Sequence, residues 1–122
     1  MVKSVAEKML LKPGQRVRIV GVPTDLDALF VGVPRAKTAV AAEVILLFAT
    51  QRAALEKSLS TLLATARKKR IWIAYPKAGQ LESDLNRDLL HDELESLGFK
   101  AFRQIALDAV WSALAFSGRE SA

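Results

Sequence analysis

The chain contains no cysteine, a single histidine and no long uninterrupted apolar run. The absence of cysteine excludes a disulfide-stabilised scaffold, and with only His91 as a further soft ligand it argues against a zinc or iron–sulfur site. The longest apolar passages, residues 39–42 and 44–49, are separated by Glu43 and are far shorter than the ~20 residues needed to cross a bilayer. No secretory signal is recognisable at the N-terminus, so we expect a soluble, cytoplasmic protein with no membrane partner.

What is present is the composition of one globular domain spanning residues 1–122, with 51% hydrophobic and 25% charged residues. The net charge of +5 permits an anionic partner. Residues 1–79 carry 14 basic and 5 acidic groups, a net charge of +9, whereas residues 80–99 carry 1 basic and 6 acidic groups, a net charge of −5. Opposed charges of this kind favour a homodimer. No nucleic-acid-binding motif accompanies the basic run at residues 67–70, so we do not expect nucleic acid.

The first half of the chain, after a short amphipathic segment, alternates strand and helix signals. Residues 16–21 form a β-branched run that ends at a glycine and predicts the first strand. Thr24 is the predicted N-cap of a short helix over residues 25–30. Residues 35–40 give a weaker strand signal, and residues 43–49 are apolar on both faces, which is typical of a central strand covered by helices on both sides.

The second half of the chain carries longer helix signals. Thr50 is the predicted N-cap of a helix over residues 51–67, which is followed by a strand over residues 71–75. Ser83 is the predicted N-cap of a helix over residues 84–97. Residues 99–107 and 109–116 then predict two strands of an antiparallel hairpin at a sheet edge.

This order predicts an α/β class protein: a single three-layer Rossmann-like domain with a mainly parallel sheet and a C-terminal antiparallel hairpin. In open sheets of this kind, ligands bind outside the carboxyl ends of the strands. The loops expected there supply our first candidate ligand-binding residues, which are Thr24, Asp25, Thr50, Arg52, Tyr75 and Lys77.

Two further patterns favour ordinary structure over chemistry. Asp84, Asp88 and Asp92 recur at helical spacing, and such a carboxylate stripe is more typical of a solvated helix face than of a cation site, so no metal is predicted. His91 has no serine or cysteine nucleophile arranged around it, so no catalytic residue is assigned.

Trp72 and Trp111 lie in strand contexts, which predicts that both belong to the core.

Several short motifs carry a family resemblance over nearly the whole chain. The approach to the first strand resembles that of class I S-adenosylmethionine-dependent methyltransferases. More specifically, the chain resembles a small bacterial family of stand-alone domains of unknown function that look like truncated methyltransferases. The motifs are Lys12-Pro13-Gly14, Tyr75-Pro76-Lys77, Asp84-Leu85, Arg87-Asp88, Asp108 and Trp111-Ser112. The resemblance implies a shortened class I methyltransferase fold, and it adds Asp84 and Asp108 to the candidate ligand-binding residues.

The chain departs from active methyltransferases where their chemistry resides. A Gly-x-Gly-x-Gly type turn is replaced by Gly21-Val22-Pro23-Thr24-Asp25, and residues 37–40 contain no acidic residue to hold ribose hydroxyls. The catalytic loop is replaced by Thr50-Gln51-Arg52. Our leading hypothesis is therefore a non-catalytic domain, with no assigned cofactor, that binds a partner protein or a small anionic ligand at the strand carboxyl ends. The alternative is a divergent S-adenosylmethionine- or nucleotide-dependent transferase, which a closed cavity beside residues 21–27 would favour.

Overall fold

The computed structural model describes residues 4–66, 69–77 and 83–118. Among these residues no helix is both long enough and apolar enough to span a membrane. The strands are β1 (Val17–Val20), β2 (Val44–Phe48), β3 (Arg70–Pro76), β4 (Phe99–Ala106) and β5 (Trp111–Gly118). The helices are α1 (Val5–Lys8), a 3₁₀ helix (Thr24–Phe30), α2 (Arg52–Ala66) and α3 (Arg87–Ser96).

The five strands form one mixed sheet in the order β1-β2-β3-β5-β4. β1, β2 and β3 pair in parallel, whereas β5 is antiparallel to both β3 and β4. The prediction of a mainly parallel sheet is thus wrong, because two of the four pairings are antiparallel. The predicted hairpin is confirmed, since a turn as short as residues 107–110 can join only antiparallel neighbours. The carboxyl ends of β1 to β4 lie at the same sheet edge as the start of β5.

Both faces of the sheet are covered, because side chains of the buried strands alternate between two cores. Leu46 packs with the 3₁₀ helix and α1 on one face, and Ile45 and Leu47 pack with α2 and α3 on the other. β2 is buried at every position, as the apolar run predicted. Trp72 and Trp111 belong to the first core, so their prediction as core residues is confirmed.

The predicted strand over residues 35–40 is wrong. Arg35 makes an isolated parallel bridge to Val17, and the chain then turns. The Oγ1 atom of Thr38 accepts a hydrogen bond from the main-chain N–H of Ala41 at 3.1 Å. Local hydrogen bonds of this kind compete with a strand ladder, so the chain folds back before it reaches β2.

The predicted caps are also wrong. Thr24 is the first residue of the 3₁₀ helix, Pro23 holds the N-cap position, and no side chain caps this helix. α2 begins at Arg52, two residues beyond Thr50. α3 begins at Arg87 with Asn86 as N-cap, so neither Ser83 nor Asp84 belongs to it. The side-chain oxygen of Asn86 accepts the N–H of Leu89 at 2.8 Å, which satisfies one of the free donors of the first turn.

Candidate ligand-binding site

Two cavities open at the edge formed by the strand carboxyl ends. The first, which we call the Tyr75 cavity, has a volume of about 610 Å³ and is lined by Tyr75, Lys77, Asn86, Arg87, Asp88, Gln104 and Ser112. The second, the Asp108 cavity, has a volume of about 340 Å³ and is lined by Pro23, Asp25, Thr50, Asp108, Val110 and Trp111. Five of the eight predicted ligand-binding residues line one or other cavity, and Thr24, Arg52 and Asp84 line neither.

Three polar side chains form the floor of the Tyr75 cavity. Tyr75 and Ser112 are directly paired residues of β3 and β5. The Nε2 atom of Gln104, on β4, donates a hydrogen bond to the Tyr75 hydroxyl at 3.2 Å. Because the Tyr75 oxygen acts here as an acceptor, its own O–H remains available to a further acceptor. The Ser112 hydroxyl, in a residue that is only 6% exposed, likewise has no hydrogen-bond partner among the described residues.

Burial fixes the protonation state of Tyr75. Desolvation raises the pKa of its phenol above the ordinary value of about 10, the nearby Arg87 lowers this pKa, and Asp88 raises it. The net direction is upward, so the phenol is protonated at neutral pH and can donate a hydrogen bond to an anion.

The rim of the Tyr75 cavity is basic. Lys77 is held beside the β4–β5 turn because its main-chain N–H donates to the carbonyl of Val110 at 2.7 Å. Arg87 and the N-terminus of α3 also line the cavity, and the helix presents its positive end there. Asp88 lies 3.6 Å from the Arg87 guanidinium, but both side chains are mostly exposed, so this pair is weak. The arrangement suits a small anion.

Five lining residues of this cavity were not predicted from the sequence as ligand-binding residues: Asn86, Arg87, Asp88, Gln104 and Ser112. Arg87, Asp88 and Ser112 lay within motifs of the family resemblance but had no assigned ligand-binding role. Ser112 is one of two serines in an otherwise apolar strand, and the alternation of side chains along β4 places Gln104 on the same face. These two signals identify the floor only once the β4–β5 register is known.

In the Asp108 cavity, Asp108 has a clear structural task. Its Oδ1 atom accepts the main-chain N–H groups of Val110 at 2.8 Å and Trp111 at 2.7 Å, which closes the β4–β5 turn. The side chains of Asp25 and Thr50 have no hydrogen-bond partner among the described residues, so both are available to a ligand. The apolar walls of the Asp108 cavity are Pro23, Val110 and Trp111.

The loop after β1, which contributes Pro23 and Asp25 to this cavity, begins at Gly21. Gly21 has a φ of +75°, and a Cβ atom there would lie 3.3 Å from the carbonyl oxygen of Phe48. Packing of the loop against β2 therefore explains this glycine without a ligand.

Arg52 and Asp84 line neither of these two cavities, and both connect α2 to the region of α3. The Arg52 guanidinium pairs with Glu93 of α3 and with Glu56 of α2, and hydrogen bonding to Glu93 is the main cause that raises the pKa of Arg52. Asp84 accepts the main-chain N–H of Arg52. A ligand role for either residue stays a prediction.

Comparison with family models and with curated proteins gives no match. Among solved structures, the chain is similar to one described as LepI in complex with SAM, with a TM-score of 0.51 and 14% sequence identity. The match covers 93% of this chain but spans only 39% of the LepI chain. At this identity the likeness shows the fold alone. The chain is an α/β domain with a mixed five-stranded sheet, compatible with a Rossmann-like, methyltransferase-like fold.

Proposed function

We propose that this chain is a non-catalytic, methyltransferase-like domain that binds a small anionic ligand in the Tyr75 cavity. The observation that carries the proposal is the convergence of hydrogen-bond donors on one cavity at the carboxyl-end edge. Lys77, Arg87 and the α3 N-terminus supply positive charge, and Tyr75 and Ser112 supply hydroxyl groups without an acceptor among the described residues.

The size and chemistry of the cavity support a small molecule. Its volume of about 610 Å³ lies within the range of about 300–1,000 Å³ typical of small-molecule sites. The positive groups stand at the rim, and the neutral hydroxyls lie at the floor. A phosphate or carboxylate group at the rim would accept from the charged donors, and the floor would select a ligand that offers a further acceptor to Tyr75.

A binding role without catalysis is supported by the state of the floor residues. Ser112 would need a base to act as a nucleophile, and its cross-strand neighbour Tyr75 is a poor base at neutral pH because its phenol is held protonated. Gln104, the third floor residue, has an amide side chain and no basic group.

A thermal-shift titration with inorganic phosphate, succinate and adenosine monophosphate, confirmed by calorimetry, tests this proposal. We expect a saturable rise in Tm with at least one anion, since a ligand at 100 times its Kd adds about 2.7 kcal/mol to the free energy of unfolding. The double variant Lys77→Ala/Arg87→Ala should lose that rise, and Lys12→Ala/Lys100→Ala, which removes the same charge elsewhere, should retain it. The absence of any shift, or an equal shift in both double variants, would count against the site.

A second candidate function is a divergent transferase that uses S-adenosylmethionine or a nucleotide in the Asp108 cavity. Two observations favour it: the fold likeness to a structure with SAM bound, and a cavity lined in part by Pro23 and Asp25 of the loop after β1. Titration with S-adenosylmethionine and S-adenosylhomocysteine separates the two functions. A saturable shift that Asp25→Asn abolishes and Lys77→Ala/Arg87→Ala leaves intact would favour the transferase.

The remaining interaction hypotheses rest on the sequence. The hypothesis of a partner protein at the same edge follows from the missing cofactor and catalytic motifs, and that of a homodimer follows from the opposed charges of residues 1–79 and 80–99. Gel filtration over a range of salt concentrations tests the homodimer, because a dimer held by opposite charges should dissociate as salt increases.

A further inference from the structure

We propose that the chain has a second anion site, away from the carboxyl-end edge, that binds an organic phosphate. It is a basic cleft of about 500 Å³ between β1 and α2, lined by Arg18 and Val20 of β1, residues 37–39 of the following loop, and Lys57, Ser58, Thr61 and Leu62 of α2. The proposal is independent of the Tyr75 cavity, with which it shares no residue.

Positive charge reaches the cleft from three separate elements. Arg18 extends from β1 on the same side as Val20, which packs against the core under α2. Lys37 belongs to the loop, and Lys57 lies on α2 one turn before Thr61. Among the described residues, none of the three cations has an ion-pair partner or a hydrogen-bond acceptor. Cations that line one concave surface without a counter-charge repel each other, and a bound anion removes that repulsion.

A fourth cation, Lys69, has a structural role, because it holds the loop that forms one wall of the cleft. Its Nζ donates to the carbonyl oxygens of Ala39 at 2.7 Å and Val40 at 2.8 Å, and also to that of Ala42. An ammonium group has three hydrogens, so all of them are used on this loop. Because the loop is fixed in this way, Lys37 and Thr38 are held in place before any ligand arrives.

The uncharged lining residues of the cleft indicate which groups the ligand carries besides its negative charge. Thr38 and Ser58 have hydroxyl hydrogens without an acceptor among the described residues, and both suit phosphate oxygens. Val20, Ala39 and Leu62 add apolar surface beside the charged groups. The lining holds no aromatic side chain on which the bases of a nucleic-acid strand would stack. A small molecule with a phosphate group and an apolar part therefore fits better than a nucleic acid.

A ¹H–¹⁵N NMR titration with adenosine diphosphate, pyrophosphate and adenosine tests the cleft and the Tyr75 cavity separately, because each has its own amide signals. We expect adenosine diphosphate to move the signals of Arg18, Thr38 and Ser58 saturably, pyrophosphate to do so more weakly, and adenosine to leave them unchanged. The double variant Lys37→Ala/Lys57→Ala should weaken this binding about tenfold or more, while Lys12→Ala/Lys100→Ala should not. Added salt should weaken it further.

Three results would overturn the proposal. The first is no movement of these signals at roughly 10 mM of either phosphate, which is ten times a millimolar Kd. The second is an unchanged affinity in Lys37→Ala/Lys57→Ala, whose exposed side chains can be removed without disturbing the core. The third is tighter binding of a single-stranded oligonucleotide than of adenosine diphosphate, which would make the cleft a nucleic-acid surface. Signals that move only around Arg87 and Gln104 would assign the ligand to the Tyr75 cavity alone.

Discussion

Asp84 accepts a hydrogen bond at 2.7 Å from the main-chain N–H of Arg52, the first residue of α2, across 32 positions of sequence. The neighbouring Ser83 hydroxyl donates to the carbonyl of Thr50 at 2.5 Å. The segment before α3 therefore supplies the capping group that Thr50 was predicted to provide, and it ties the start of α2 to the start of α3.

We expect Asp84→Ala to reduce the free energy of unfolding by about 1 kcal/mol, the usual effect of losing an N-terminal capping acceptor. Asp84→Asn retains an acceptor and should lose less. Urea unfolding measures both, with Asp92→Ala as control because Asp92 is an exposed carboxylate in the middle of α3. Equal losses in Asp84→Ala and Asp92→Ala would show that the hydrogen bond to α2 adds no stability.

The same comparison of alanine and asparagine variants, again by urea unfolding, tests what Asp108 contributes to the β4–β5 turn. Asp108→Ala removes the acceptor for two turn N–H groups, so we expect a loss of about 1–2 kcal/mol in the free energy of unfolding. Asp108→Asn removes the charge and keeps an oxygen acceptor, so its loss should be well below that of the alanine variant. If Asp108→Asn is as unstable as Asp108→Ala, the turn depends on the negative charge and not on the hydrogen bonds alone.

The elements that the sequence predicted best are those determined by local pattern. The apolar run of β2 is buried at every position, and the two strand signals after α3 form the predicted hairpin. The predicted cap of α2 was wrong because its partner is distant in sequence, since Asp84 accepts the N–H of Arg52. Ser83 does not cap α3 because its hydroxyl donates to the carbonyl of Thr50, and Asn86 caps that helix instead. The strand expected over residues 35–40 failed because Lys69, about thirty residues away, holds that segment as a loop.

The candidate site also has a part that the local sequence predicted and a part that depends on how distant elements pack. The rule that ligands bind at strand carboxyl ends placed Tyr75 and Lys77 at a cavity, because it needs only the positions of strand ends. Ser112 and Gln104 required the order β3-β5-β4, which puts three polar side chains side by side. The basic cleft depends on residues of β1, of the loop after it and of α2 lying together, and no single segment of the sequence encodes that arrangement.

The raised pKa of Tyr75 predicts a specific loss of stability at high pH. Between the unfolded value of about 10 and the higher folded value, the folded state holds the phenolic proton that the unfolded state releases. The stabilising contribution is thus complete below pH 10 and is lost as pH rises through the folded pKa. Tyr75→Phe should remove this dependence and also lose about 1 kcal/mol at neutral pH, together with the hydrogen bond from Gln104.

The chain contains one tyrosine, so its ultraviolet tyrosinate absorbance reports Tyr75 alone. Titration of the folded protein should give a midpoint above that of the urea-unfolded chain. Coincident midpoints would contradict the desolvation of the Tyr75 phenol at the cavity floor.

Gly21 and Gly14 provide a matched pair that tests why a glycine follows β1. Both have a positive φ, +75° and +86°, but a Cβ atom at Gly21 would meet the Phe48 carbonyl oxygen at 3.3 Å, whereas one at Gly14 would meet nothing within 4 Å. Gly14→Ala should therefore cost about 1 kcal/mol in the free energy of unfolding from backbone strain alone, and Gly21→Ala more. If the glycine instead serves a cofactor, Gly21→Ala will match Gly14→Ala in stability and will weaken the thermal shift given by S-adenosylmethionine.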